Sequence, residues 1–247
     1  MIDLPVLLSL IFVAIFVGVL IGGVGIGGVL LLPILTYGFD INIHNAIAAA
    51  MFGYIFSGFV AATIYSNKGS INWILAFWLI LGGMPGAFLG AFFSAKMTGV
   101  FLEVIIAVLI IFAGIKPLIS SGTERRSDGF LRPVTLIMVG IITGIGSALT
   151  GTGGPLLLVP ILVTLRVAAH TAIGLSQAIQ LPVASVATIG NYLYSEINLL
   201  LSILIAFGLT IGGIIGAKLA HKISSKILTT ILGWVLLFVG VFIISKL

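Results

Sequence analysis

The chain has 247 residues, of which 60% are hydrophobic and only 7% are charged. Soluble domains carry roughly 25% charged residues, so this composition excludes a protein whose whole surface faces water. The formal net charge of +5 comes from basic residues between apolar runs, where they set membrane topology, and it does not point to nucleic acid. With no cysteine in the chain, disulfides, thiolate metal sites and a cysteine nucleophile are excluded.

In chain order, the first apolar run covers Leu4–Gly23, about the 20 residues that cross a bilayer. No Lys or Arg precedes it, so it reads as a retained membrane span and not as a secretory signal. A glycine-rich break, Gly22–Gly23–Val24–Gly25–Ile26–Gly27–Gly28, follows, and then a short apolar segment at 28–37. Three long apolar helices are predicted near 44–65, 71–95 and 100–119. The polar stretch 120–132, with Glu124, Arg125, Arg126, Asp128 and Arg132, reads as a linker. The same parts then recur: a long segment at 133–149, a break from Gly144 to Pro155, a short segment at 155–165, and helices near 170–194, 197–221 and 226–245. Three units are therefore expected: a first membrane repeat at 1–119, a linker at 120–132 and a second membrane repeat at 133–247.

The recurrence has a fixed register. His44 matches His170, an offset of 170 − 44 = 126. At that offset Gly25, Gly27 and Gly28 match Gly151, Gly153 and Gly154, and Ile71–Asn72 match Ile197–Asn198. Gly82, Gly86 and Gly90 match Gly208, Gly212 and Gly216; Lys96 matches Lys222 and Gly114 matches Gly240. Matches among Leu and Ile mean little in so apolar a chain. Shared Gly, Asn, His and Lys positions in one register mark an internal repeat.

The short segments have only about ten strongly apolar residues, too few for comfortable spanning, so each break and return reads as a re-entrant hairpin. Each repeat is then a glycine-broken hairpin plus three membrane helices, with an odd number of net crossings, and the second repeat is inverted. Charge favours this arrangement. One face collects Lys68, Lys116, Arg125, Arg126, Arg132, Arg166, Lys218, Lys222 and Lys226, against only Lys96 and Lys246 on the other. The basic face is the cytoplasmic one, which puts the linker in the cytoplasm and both termini outside a cell membrane. The fold expected is all-α, with two inverted-topology repeats, as in many secondary transporters whose site lies near the midplane.

The breaks carry the candidate chemistry. Irregular backbone inside a membrane must be buried in protein or line a cavity. A helix starting there presents free N–H groups and the positive end of its dipole, which attract anions. Pro155 after Gly154 suits the first turn of a helix. The candidate binding residues are Gly25, Gly27, Gly28, Thr150, Gly151, Thr152, Gly153 and Gly154, joined by Ser176 and Gln177 in an apolar helix, where polar groups are costly. Ser147 adds a hydroxyl, while Gln180, Tyr54 and Ser57 lie nearby in the pattern. His44 and His170 begin equivalent helices near opposite faces and are candidates for capping, or for gating and proton coupling. Glu103 is the one acid in a predicted span and is expected near the outer boundary. No HExxH-type spacing or metal cluster occurs, so neither a metal, a cofactor nor an enzyme is expected.

At these residues the chain resembles the sulfite exporter TauE/SafE family of membrane permeases. The resemblance rests on Gly25–Ile26–Gly27–Gly28 with Pro33–Ile34–Leu35, on Gly151–Thr152–Gly153–Gly154–Pro155 with Pro160–Ile161–Leu162, and on Ala172–Ile173–Gly174–Leu175–Ser176. It implies export of a small anionic substrate such as sulfite, sulfoacetate or a related organosulfonate. Ala48–Ala49–Ala50–Met51 offers no Ser or Thr where the second repeat has Ser176, so the second repeat is expected to supply more side-chain contacts. The competing readings are a transporter of another small solute or ion, and a membrane partner protein without transport activity. The bilayer is the one partner that composition demands. The oligomeric state stays open, and a homodimer is compatible with the sequence.

Overall fold

The computed structural model describes residues 4–25, 27–119, 131–194 and 198–220, and beyond them Trp234, Leu237, Phe238, Val241, Ile243 and Ser245. Nearly all of the expected linker at 120–132 and most of the expected last helix at 226–245 lie outside the described residues, as do Ile197, Lys222 and Gly240 of the repeat. The elements are α1 (Leu4–Val24), α2 (Gly28–Pro33) continued by a π-helical turn (Ile34–Gly38), α3 (Ile43–Asn67), α4 (Trp73–Lys96), α5 (Gly99–Ile119), α6 (Pro133–Thr150), α7 (Pro155–Thr164), α8 (Ala169–Tyr194) and α9 (Leu199–Ala220). The described residues contain no strand. Six of the helices, α1, α3, α4, α6, α8 and α9, are long and apolar enough to cross a membrane. Their outer faces carry bare aromatic rings, such as Phe12 at 72% and Phe59 at 60% exposure, which water would not tolerate as continuous surface and lipid would.

Local signals explain where the helices begin. The Asn42 side chain accepts a hydrogen bond from the His44 N–H at 2.9 Å and caps α3. Asn72 accepts from the Ile74 and Leu75 N–H groups at 3.1 and 3.3 Å and caps α4. Its repeat partner Asn198 accepts from the Leu201 N–H at 3.1 Å at the start of α9. A repeated Asn at this place is thus a repeated N-cap.

The repeated glycines form two ridges of backbone contact. A β-carbon at Gly82 or Gly86 would overlap the carbonyl oxygens of Ile137 and Ile141 on α6, and one at Gly90 would lie 2.6 Å from that of Ile145. On the other side of the molecule, a β-carbon at Gly212 or Gly216 would overlap those of Ile15 and Val19 on α1, and one at Gly208 would lie 2.9 Å from that of Ile11. Residues 11, 15 and 19 plus 126 are 137, 141 and 145. The two ridges therefore make the same contact twice, and each joins the first helix of one repeat to a later helix of the other.

These contacts also give helix directions. Along both ridges the residue numbers rise together, so α1 runs parallel to α9 and α4 parallel to α6. α3 runs with α9, because Gly53 lies against Ile205, Ala206 and Leu209, and Ser57 lies against Gly213. α8 runs with α4, because Gly83 meets Ile179 and Val183, and Gly190 meets Ala91. The two groups oppose each other. Gly58 meets Gln180 midway along α3 and α8, while Ser70, just past α3, meets Gly174 near the start of α8. So α1, α3 and α9 point one way, and α4, α6 and α8 the other.

Backbone contact this close admits no side chain. Gly212→Ala is expected to destabilise the fold by about 1–3 kcal/mol through overpacking, whereas Gly23→Ala, whose nearest foreign atom is 3.5 Å away, should be tolerated. Thermal melting in detergent checks this. Equal melting temperatures for the two variants would contradict the ridge.

Candidate functional site

Both breaks form, but not alike. α6 ends at Gly151, which turns left-handed at φ 59° and sends its N–H back to Ser147 O. The Thr152 N–H reaches the same oxygen at 3.3 Å. Gly153 and Gly154 follow at φ 78° and 100°, and Pro155 opens α7. The residue before a proline is pushed away from helical geometry, and only glycine adopts such positive φ without strain. In the first repeat Gly25, the partner of Gly151, also has positive φ, at 80°. Gly27 does not: at φ −68° it is already helical. The expectation of two matched helix starts is corrected here. The second break is an extended glycine turn into a ten-residue helix, while the first has a left-handed Gly25 and a helical Gly27 before the six residues of α2 and a π-helical turn.

The two breaks meet. A β-carbon on Gly28 would lie 2.7 Å from the Thr152 carbonyl oxygen and 2.7 Å from the Tyr54 hydroxyl. One on Gly153 would lie 2.7 Å from the Tyr54 ring. Gly151 packs against Leu32 of the first hairpin and Ile47 of α3. Gly27 is placed otherwise: its open side faces Val17, Leu20 and Ile21 of α1, which makes it a packing residue on that side.

Around this junction lies a shell of buried polar side chains. Ser57, Ser147, Thr150, Thr152, Ser176, Gln177 and Gln180 are all buried. No Asp, Glu, Lys or Arg is among the buried polar side chains of the described residues. The hydroxyl protons can be traced. Thr150 donates to Gly146 O at 2.6 Å, so in its 2.9 Å pair with Thr152 the Thr152 hydroxyl is the donor. Ser176 donates to Ile173 O at 2.7 Å. The threonines and Ser176 were expected to offer donors to an anion, yet in this conformation their protons are engaged. The Ser147 hydroxyl makes no hydrogen bond and would lie 3.9 Å from a β-carbon on Gly154.

The amides cross between repeats. Gln177 Nε2 donates to Ile21 O in the last turn of α1 at 2.7 Å. Ile21 O already accepts from the Gly25 N–H at 2.8 Å, so the carbonyl does not require the glutamine. Gln180 Nε2 donates to Ser57 Oγ at 3.2 Å. The Oε1 atoms of both glutamines are buried without a partner. An unsatisfied buried polar group costs about 1–3 kcal/mol, which makes this junction an expensive place for polar residues that do nothing.

Sequence reasoning named Ser147 as a further hydroxyl and placed Tyr54 and Gln180 only nearby, and it missed Tyr65, whose buried hydroxyl donates to Gly22 O at 3.1 Å and holds α3 to the end of α1. One signal was available: 54 + 126 is 180 and 65 + 126 is 191, so Tyr54 and Tyr65 stand where the second repeat has Gln180 and Asn191. His44 and His170 are not brought to the junction. Each sits at the start of its helix, ten residues and about 15 Å along the axis from Tyr54 and Gln180 respectively, with His44 half-buried and His170 exposed. Glu103, expected near the boundary, is half-buried and accepts a hydrogen bond from the Tyr37 hydroxyl at 2.8 Å. Among the described residues no cluster of three His, Cys, Asp or Glu is placed to hold a metal.

Comparison with known proteins bears on this arrangement. The family described as Sulfite exporter TauE/SafE matches residues 10–243. The "Probable membrane transporter protein YdhB" of Bacillus subtilis is 23% identical over 81% of this chain and 84% of its own length. A "Probable membrane transporter protein" of Methanocaldococcus jannaschii is 28% identical over 74% of this chain and 71% of its own. Another, from Xylella fastidiosa, is 30% identical over 65% and 64%. No solved structure matches the chain. With a family match over nearly its whole length and six helices able to span a bilayer, the chain belongs to the TauE/SafE family of membrane transporters and is a multi-pass membrane protein.

Proposed function

We propose that the protein is a secondary permease that exports a small oxyanion, sulfite or an organosulfonate such as sulfoacetate, by alternating access around the junction of the two breaks. The observation that carries this is the meeting of both hairpins at a buried junction lined by hydroxyl and amide groups and, among the described residues, by no full charge. The substrate would be held by backbone N–H groups of Gly153–Gly154 and of Gly27–Gly28, with the Ser147 hydroxyl and the Gln177 amide assisting, and the catalytic step of an enzyme plays no part. A helix start contributes about 0.3–1 kcal/mol toward an anion when exposed and up to about 2 kcal/mol when partly buried. Each hydrogen bond to a charged group adds about 1.5–3 kcal/mol. A few of these give modest affinity, which suits a carrier that must release its cargo. Export needs no separate pump, since moving one negative charge out of an inside-negative cell gains roughly 2.3 kcal/mol per 100 mV.

Helix direction supports the inverted reading of the two repeats. The first repeat's α1, α3 and α4 run with senses opposite to those of α6, α8 and α9, as a two-fold axis in the membrane plane requires. Together with the charge asymmetry, this favours an orientation in the cell membrane with the linker in the cytoplasm and the termini outside. His44 and His170 then lie at opposite faces, where a gating or proton-coupling role would act at each face separately.

Ser147→Ala should weaken binding of the transported anion about tenfold, the loss of one charge-assisted hydrogen bond, with little change in melting. Thr152→Val, which removes a hydroxyl engaged with Thr150, should show the smaller binding defect. Equilibrium binding of sulfite and sulfoacetate to the purified variants reads both, and a larger loss in Thr152→Val would count against the site as drawn. Orientation is read separately, by single cysteines at the exposed positions Asn67, Ala168 and Thr98. An impermeant thiol reagent on intact cells should label Thr98→Cys and spare Asn67→Cys and Ala168→Cys. Labelling of Ala168→Cys but not Asn67→Cys would refute the inverted arrangement.

A further inference from the structure

We infer that Tyr54 is the gate of the junction: its ring fills the space between the two glycine breaks and must move for an anion to enter. The inference rests on the central site proposed above and adds which side chain opens it. Tyr54 contacts both breaks at once. Its hydroxyl donates to Gly28 O at 3.2 Å, and its ring covers the bare side of Gly153. The side chain is fully buried, as are those of Gln177 and Gln180, and Ser147 is 1% exposed. The conformation described is therefore closed to solvent.

Something must yield for a solute to reach the Ser147 hydroxyl and the glycine N–H groups. The other contacts around the junction are backbone, as between Gly28 and Thr152 O, or an aliphatic side chain, as between Leu32 and Gly151, or amides tied across helices, as with Gln177 to Ile21 O and Gln180 to Ser57. The Tyr54 side chain can turn about its own bonds without breaking a helix. Both glycines that flank it lack the β-carbon that would otherwise fill its place. The two-fold partner of Tyr54 is Gln180, with no ring, so the gate belongs to the first repeat alone. Its hydroxyl also covers Gly28 O, an acceptor that would repel an anion. When the ring leaves, the same hydroxyl is free to donate to an oxyanion.

The chain has no cysteine, so Ser147→Cys places a single thiol in the junction. Its rate of reaction is read with two methanethiosulfonates of similar size, one carrying a sulfonate and one a trimethylammonium group, on the purified full-length protein. Thiol reactivity follows access, so adding Tyr54→Ala should speed the reaction about tenfold or more, while Tyr54→Phe, which keeps the ring, should stay close to the slow rate. Equal rates in Ser147→Cys and Ser147→Cys/Tyr54→Ala, with matching melting curves, would overturn the gate. Should Tyr54→Ala fail to fold, Tyr54→Leu makes the same comparison with apolar volume retained. The charge of the faster reagent reports on the anion reading separately. A preference for the sulfonate in the opened variant supports both claims. A preference for the trimethylammonium reagent, with the Tyr54 effect intact, keeps the gate and overturns the anion.

Discussion

The glycine ridges set the rest of the structure. Lipid is as apolar as the helices, so burial gives helices in a bilayer no drive to pair, and close backbone packing must supply it. Gly82, Gly86 and Gly90 on one side and Gly208, Gly212 and Gly216 on the other bring main chain against main chain. Because each ridge joins a helix of one repeat to a helix of the other, neither repeat has its main contacts within itself. The two are interlocked, and the hairpins they carry are driven toward one centre.

That centre is where irregular backbone becomes admissible. Free N–H and C=O groups cannot face hydrocarbon, but they can sit where protein encloses them. The breaks at Gly25 and at Gly151–Gly154 lie behind α3 and α8, with Tyr54, Tyr65, Gln177 and Gln180 providing the polar lining. The lining is lopsided. At the positions of Ser147, Ser176 and Gln177 the first repeat has Ile21, Ala50 and Met51, so the second repeat supplies both amides and most of the aliphatic hydroxyls, while the first supplies Ser57 and two tyrosines. On the function proposed, a repeated scaffold with an asymmetric lining suits one small solute better than two identical sites would.

The fold was largely legible in the sequence, for a physical reason. Where a β-carbon would overlap a carbonyl oxygen, glycine is the only solution, and it recurs in both repeats at the same offset. Asn72 and Asn198 were legible likewise, since a helix start needs an acceptor for its free N–H groups. The site was less so. Glycine permits both the left-handed turn found at Gly153 and the helical geometry found at Gly27, and nothing in the residue type separates them. Tyr54 and Gln180 were placed only nearby because a search for matched residues passes over a pair that the repeat relates but whose residue types differ. Thr150 and Thr152 were recognisable as hydroxyls, but which protons are already engaged depends on distances that only the folded chain has.

The central claim is that an oxyanion sits between the breaks, and anomalous diffraction tests it most directly. Crystals would be soaked separately with selenite, the heavier analogue of sulfite, and with 2-bromoethanesulfonate. The account predicts a peak within hydrogen-bonding reach of the Gly153–Gly154 N–H groups and the Ser147 hydroxyl, with the Tyr54 ring displaced from Gly28. A peak held elsewhere by basic side chains, with Tyr54 still bonded to Gly28 and the junction empty, would contradict it.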